Sequence, residues 1–339
     1  MLRSLVQTAS AAADLTGVSR ALALRYRGRG TIFSMHSVVA DATPYLDTLR
    51  YRADALGLFL EWLRGEGAEF IALDEIERRM RAPAGRPFVA FTFDDGYADN
   101  LTHALPVMER FGAPFTVYVT SGLVTREIDA WWFGLTALLQ MRDAIELPGL
   151  GQFACPDLAS KKRAFVAIEG ALHRNYDLLP AVRELIERNG IDCSALLDRE
   201  ALTEDQLRQL AAHPLATIGA HTVTHCNLAL CSPSQAHQEI TASRTYLEKV
   251  IGRPVVHFAY PFGNPRAFGR REQDICRTAG LRTAVTTCQG AIFPDHLDHL
   301  HALPRVSIWA HDTPATLRCK FFGLFRAARS RFGDPVVRM

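Results

Sequence analysis

Two adjacent aspartates, Asp94 and Asp95, end the apolar run Phe88–Phe93 in the stretch "FTFDDGYADN". Side-by-side carboxylates repel, and desolvating them costs free energy unless something compensates. A second stretch, "IGAHTVTHCNL", ends another β-like run at His221 and places His225 four residues later. Four residues is one helical turn, so the two rings can face one point. Two imidazoles and one carboxylate form a facial three-ligand set with open positions for water and substrate. A divalent ion would make the paired aspartates tolerable, one as its ligand and the other to take a proton from attacking water. Asp-Asp-Gly alone also reads as a strand-end turn, and a lone His pair is weak. Together the two stretches point to metal-assisted hydrolysis.

The chain that must position these residues alternates short β-rich runs with helical patterns. Candidate strands are 31–35, 88–93, 115–119, 216–219, 255–260, 282–287 and 305–308, with helix-like stretches near 53–65, 99–111, 203–212, 234–251 and 270–279. Thr203 with Gln206, and Ser232-Pro233 with Gln235, fit capping boxes. Gly252 and Gly280 sit where helix C-terminal glycines belong. This alternation implies an α/β fold with a mainly parallel sheet, helices outside, and an active site at the strands' C-terminal ends. Residues 129–213 break the rhythm. They open with Trp131-Trp132, show few strand signals, and read as a helical insertion between two barrel strands.

Composition removes other classes. The 339 residues are 48% hydrophobic and 22% charged with net charge +2, which gives no reason to expect a nucleic-acid partner. No apolar run reaches the ~18 residues of a membrane span, and the first residues lack a signal-peptide pattern. The seven cysteines are odd in number, scattered and without a CxxC pair, which suits a reducing, cytoplasmic location. Both termini are basic. We read residues 1–29 as a basic helix or arm, 30–310 as the catalytic barrel, and 311–339 as a basic aromatic tail. The ends are either packed helices or a peripheral contact with an anionic membrane.

"TFDDG" and "HTVTH" resemble the two leading motifs of the polysaccharide deacetylase (NodB-homology) family, over roughly residues 30–310. The resemblance implies a distorted (β/α) TIM-like barrel that removes acetyl groups from sugars, usually N-acetylglucosamine units. It also implies one divalent metal, zinc by default, with cobalt, manganese or iron as alternatives. Asp94 then resembles the general base, and Asp95, His221 and His225 the metal ligands. The family's Arg-x-Pro-Tyr/Phe motif reads "AYPFG" here, with Ala259 in place of arginine. Tyr260 and Phe262 remain as substrate or oxyanion contacts, Phe262 through its backbone N–H, a role that needs no side chain. Arg305, in "LPRVS", either replaces the missing arginine or forms a surface salt bridge. The family's late Leu-x-His motif is not found. Instead "IFSMHSVV" ends a strand at His36 and resembles the Tyr-His-x-Val motif of permuted deacetylases acting on poly-N-acetylglucosamine, whose early histidine is the acid.

Other residues keep two readings. Tyr97, Trp131 and Trp132 either touch sugar or pack, Cys226 either approaches the metal or is a small buried filler, and His296, His299 and His301 look metal-like in composition but read from their loop spacing as solvent-exposed. The expected substrate is an N-acetylated oligo- or polysaccharide. A deacetylase or deformylase of a lipid-linked sugar, a hydrolase of a non-sugar amide, and a non-catalytic carbohydrate-binding relative remain open.

Overall fold

Seven short runs rich in Phe, Val, Ile and Thr form parallel strands: β1 (Gly30–Met35), β2 (Phe88–Phe93), β3 (Phe115–Val119), β4 (Ala216–Ala220), β5 (His257–Ala259), β6 (Thr283–Gln289) and β7 (Leu303–Ser307). The computed structural model that shows them describes residues 2–40, 46 and 49–339. Aromatic and β-branched side chains suit strands buried on both faces, and every residue of β1 and β2 is buried. The strands pair in the order β1-β7-β6-β5-β4-β3-β2, and β2 pairs back on β1 from Gly30↔Phe88 to Met35↔Phe93. The sheet is therefore a closed barrel. A Cβ at Gly30 would lie 2.4 Å from Phe88, so the seam closes only around glycine there.

The helix signals hold. Both capping boxes form, at Thr203/Gln206 and Ser232/Gln235, and Gly252 and Gly280 adopt φ of 69° and 77°. The helix expected at 99–111 starts as a π-helical turn, Asn100–Ala104, before Leu105–Arg110. The insertion lies between β3 and β4 and has its own core of Trp131, Leu135, Leu138, Phe165, Ile168 and Ile186. It is not wholly helical, because Ala144–Leu147 and Gly151–Ala154 pair as an antiparallel hairpin. Only Ile145 and Leu147 of the first strand are buried, too short an alternation to stand out in sequence.

Residues 311–339 fold back as two helices. Pro314–Phe321 packs on Leu2–Leu15, where Arg318 meets Asp14 at 2.8 Å, and Leu324–Arg329 packs on Val18–Tyr26. Leu5, Leu15 and Leu24 remain exposed on the N-terminal pair. No described helix is long and apolar enough to cross a membrane.

Candidate active site

The strand register assembles the site. Because Met35 sits opposite Phe93, His36 and Asp94 leave adjacent strand ends, and the Asp94 N–H donates to the Met35 carbonyl at 2.9 Å. On the other side of the ring Ala220 pairs with Phe258, so His221 emerges beside Ala259. Its Nδ1 donates to the Ala259 carbonyl at 2.7 Å. That bond fixes the tautomer and leaves Nε2 with a free lone pair.

The Nε2 atoms of His221 and His225 lie 3.5 and 3.3 Å from Asp95 Oδ1. That oxygen is buried and makes no hydrogen bond among the described residues. Ligand atoms about 2.0–2.1 Å from one ion are about 2.8–3.0 Å apart in octahedral and about 3.3–3.4 Å apart in tetrahedral geometry. The orphaned oxygen and the spacing thus fit a divalent metal held by Asp95, His221 and His225, and these form the metal-compatible cluster among the described residues. Burial would raise the Asp95 carboxyl, but the two imidazoles beside it hold it well below its ordinary range.

The two histidines do not converge through a helical turn, as their spacing suggested. Residues 221–227 form a loop in which Thr222 and His225 take φ of 64° and 55°. Thr222 Oγ1 accepts from the His225 N–H at 3.0 Å. Glu239 clamps the loop by accepting from the Val223 and Thr224 N–H groups at 2.8 and 2.9 Å and from Thr224 Oγ1 at 2.8 Å. Of the seven described non-glycine residues with positive φ, four are Asp95, Thr222, His225 and Phe262, so backbone strain concentrates here.

Arg305 is fully buried inside β7, which rules out a surface salt bridge. Its guanidinium donates to both oxygens of Asp94, Nη1 to Oδ1 at 2.7 Å and Nη2 to Oδ2 at 2.6 Å. Thr92 Oγ1 and the Thr286 carbonyl take two further bonds at 3.0 and 2.8 Å. Burial pushes the Asp94 carboxyl up, but Arg305 overrides it, so the group stays below its ordinary value and ionised. His36 Nε2 stands 4.0 Å from Asp94 Oδ2. Its carbonyl is held by Asn100 Nδ2 at 2.7 Å.

A family model for polysaccharide deacetylases matches residues 81–284, more than half of the chain. The chain belongs to the polysaccharide deacetylase family. Its barrel is similar to that of the Streptococcus pyogenes deacetylase PplD, solved in complex with acetate (TM-score 0.55, 18% identity, 85% of this chain and 96% of that one). It is also similar to IcaB from Ammonifex degensii (TM-score 0.54, 17% identity, 88% and 99% covered). In sequence it is 20% identical to YxkH of Bacillus subtilis (strain 168) over 265 residues, 77% of this chain and 67% of that protein.

In this family member a cavity of about 420 Å³ opens on Asp95 and His225 and runs under the insertion. Trp132 and Phe262 flank the His225 ring, with ring centroids 5.7 and 4.9 Å away. Phe262 is at φ 61°, and its N–H donates to no group among the described residues. Tyr97 and Trp131 line the cavity while packing in apolar clusters, Tyr97 edge-on to Phe133. Tyr260 does not face the cavity. It is fully buried, stacks on Phe268 at 4.3 Å and donates its hydroxyl to the His301 carbonyl at 2.9 Å. A large aromatic with a carbonyl in reach is better satisfied in the core.

His257, His296 and His301 are held by structural contacts away from Asp94. His257 starts β5, at the barrel end away from Asp94, and bridges Thr283 and Asp74 at 2.8 and 3.2 Å. His296 is fully buried, and His299 and His301 are half-buried, rather than exposed; the His296 and His301 rings donate to the Val337 and Leu281 carbonyls. Cys226 is half-buried and lines the cavity, its sulfur 3.5 Å from that of Cys231. Sequence reading missed His173, Tyr176 and Glu239. His173 sits 4.0 Å from the Phe262 ring, and burial, reinforced by nearby positive charge, pushes it down to about 4. It lies at the end of an ordinary amphipathic helix, so no local signal marks it.

Proposed function

We propose that this protein is a metal-dependent hydrolase that removes N-acetyl groups from N-acetylglucosamine-containing oligo- or polysaccharides. The observation that carries the reading is the convergence of the Asp95, His221 and His225 ligand atoms beside an Asp94 held ionised by Arg305. Bound by that trio, a divalent ion, zinc by default, supplies Lewis acidity to the acetyl carbonyl and to water. Asp94 takes the proton from the attacking water. The Phe262 N–H donates to the oxygen that gains charge. His36 gives a proton to the departing amine, and acetate and a free amino sugar leave. Residues 30–310 would form the catalytic unit, and the seven free cysteines suit a reducing compartment.

A lipid-linked acetylated sugar is the second reading, favoured by Leu5, Leu15 and Leu24 exposed on arginine-bearing helices. The test is acetate release by the metal-loaded protein from chito-oligosaccharides, polymers and lipid-linked sugars, with Asp94→Asn as control. Release from oligomers that falls about 100- to 10,000-fold in Asp94→Asn supports the reading. No release from any acetylated sugar overturns it.

A further inference from the structure

The active-site cavity does not end under the insertion. Leu49, Phe165 and Glu169 line both it and a neighbouring cleft, whose other walls include Arg3, Lys162, Arg163 and Trp309. Arg3 and Trp309 carry that cleft onward to His311 and Lys320. Cations from three distant stretches of chain therefore meet along one path from the site. Among the described residues, Arg3, Lys162 and Arg163 have no ion-pair or hydrogen-bond partner. Of the two acids that line this path, Asp312 is already committed to Lys320, the Trp309 N–H and Thr316, and Glu169 lies at the inner end, where the cleft meets the active-site cavity. His311 Nδ1 is buried there without a hydrogen-bond partner among the described residues. Burial, then Arg3, Lys320 and Lys162, lower the His311 pKa against the pull of Asp312, so these charges act on one place. Unpaired cations around a buried orphan nitrogen are the donor set that a multi-oxygen anion satisfies.

We propose that this cleft is an anion subsite for the substrate: a phosphate on the acetylated sugar docks among Arg3, Lys162, Arg163 and His311 while the acetyl group reaches Asp95, His221 and His225. The proposal rests on the deacetylase reading and deepens it, because it separates a phosphate-bearing acetylated sugar from a neutral polymer. Trp309 and Phe165, between the two ends, give the connecting sugar apolar faces to lie on.

The test compares chito-oligosaccharides of several lengths with and without a reducing-end phosphate. At low salt the wild-type kcat/KM should favour the phosphorylated form by about tenfold or more, and screening at high salt should shrink that ratio. In Arg3→Ala/Lys162→Ala the ratio should fall to about one with the melting temperature unchanged. Calorimetric titration of the same oligosaccharide pairs into Asp94→Asn protein reads the subsite without turnover. If no sugar is hydrolysed, the deacetylase reading fails, and a calorimetric preference for the phosphorylated form that the double variant loses still upholds the subsite. Equal affinity for both forms, or a preference that survives the double substitution, overturns it. So does co-sedimentation with phosphatidylglycerol but not phosphatidylcholine vesicles, abolished by the double variant, without any sugar-phosphate preference. That result would assign the cleft to a lipid headgroup.

Discussion

Arg305→Met isolates the buried ion pair at the centre of the site. Wild-type Arg305 and Asp94 are 0% and 2% exposed and share two short charge-assisted bonds. Removing the cation leaves the carboxylate enclosed without compensation, which costs about 3–5 kcal/mol. At about 2.1 cal/mol/K of unfolding entropy per residue, 339 residues give roughly 0.7 kcal/mol/K. The melting temperature should therefore fall by about 4–7 °C. Asp94→Asn combined with Arg305→Met removes both charges and should recover most of that loss. Arg305→Lys keeps the charge but not the paired geometry and should fall between. Bound metal should be unchanged in all three, while kcat for acetate release falls by about 100-fold or more in Arg305→Met. Differential scanning fluorimetry, metal analysis and an acetate assay read the set. A shift below about 1 °C in Arg305→Met, or a double variant no more stable than the single, would refute the argument.

His221→Ala should lose most bound metal and all activity while its circular dichroism stays native; full metal content in that variant removes the ligand assignment. His36→Ala should keep its metal, lose amide hydrolysis, and lose far less on an activated acetyl ester whose phenolate leaving group needs no proton; equal losses on both substrates would make His36 structural. Burial is the main cause that raises the Asp99 carboxyl to about 7, against hydrogen bonds from Ser37 and the Val38 N–H. The folded state then holds a proton that the unfolded chain, with the ordinary value of 3.8, has already released. This contribution to stability is present below about pH 4 and is lost as pH rises towards about 7, by at most about 4 kcal/mol. Asp99→Asn cannot lose that proton, so its melting temperature should gain on wild type between pH 4.5 and 8, and parallel curves would refute the shift.

Local chemistry determined a good part of this molecule. The run Phe88–Phe93, apolar except for Thr92, read as a buried strand, and Thr203 and Ser232 announced their helices because a capping box closes within four residues. Asp94 and His221 were legible because each follows directly on a strand and a barrel sends all such ends to one rim, and Asp95 and His225 because they lie one and four residues further on. What lay beyond reach depends on contacts between distant segments. Arg305 meets Asp94 across 211 positions of sequence, and only the closure of the ring, with β7 beside β1 and β1 beside β2, decides that pairing. The path of the 221–227 loop was decided by Glu239, sixteen residues from Val223, rather than by helical spacing. Tyr260 turned inward because Phe268 and the His301 carbonyl satisfy it there, and His296 was buried because the Val337 carbonyl accepts a hydrogen bond from its Nε2–H. His173 reached Phe262 only because the insertion folds on its own core over the barrel mouth. Periodicity and caps are short-range signals, whereas the partner of a buried polar group is chosen by the order in which strands and insertions pack.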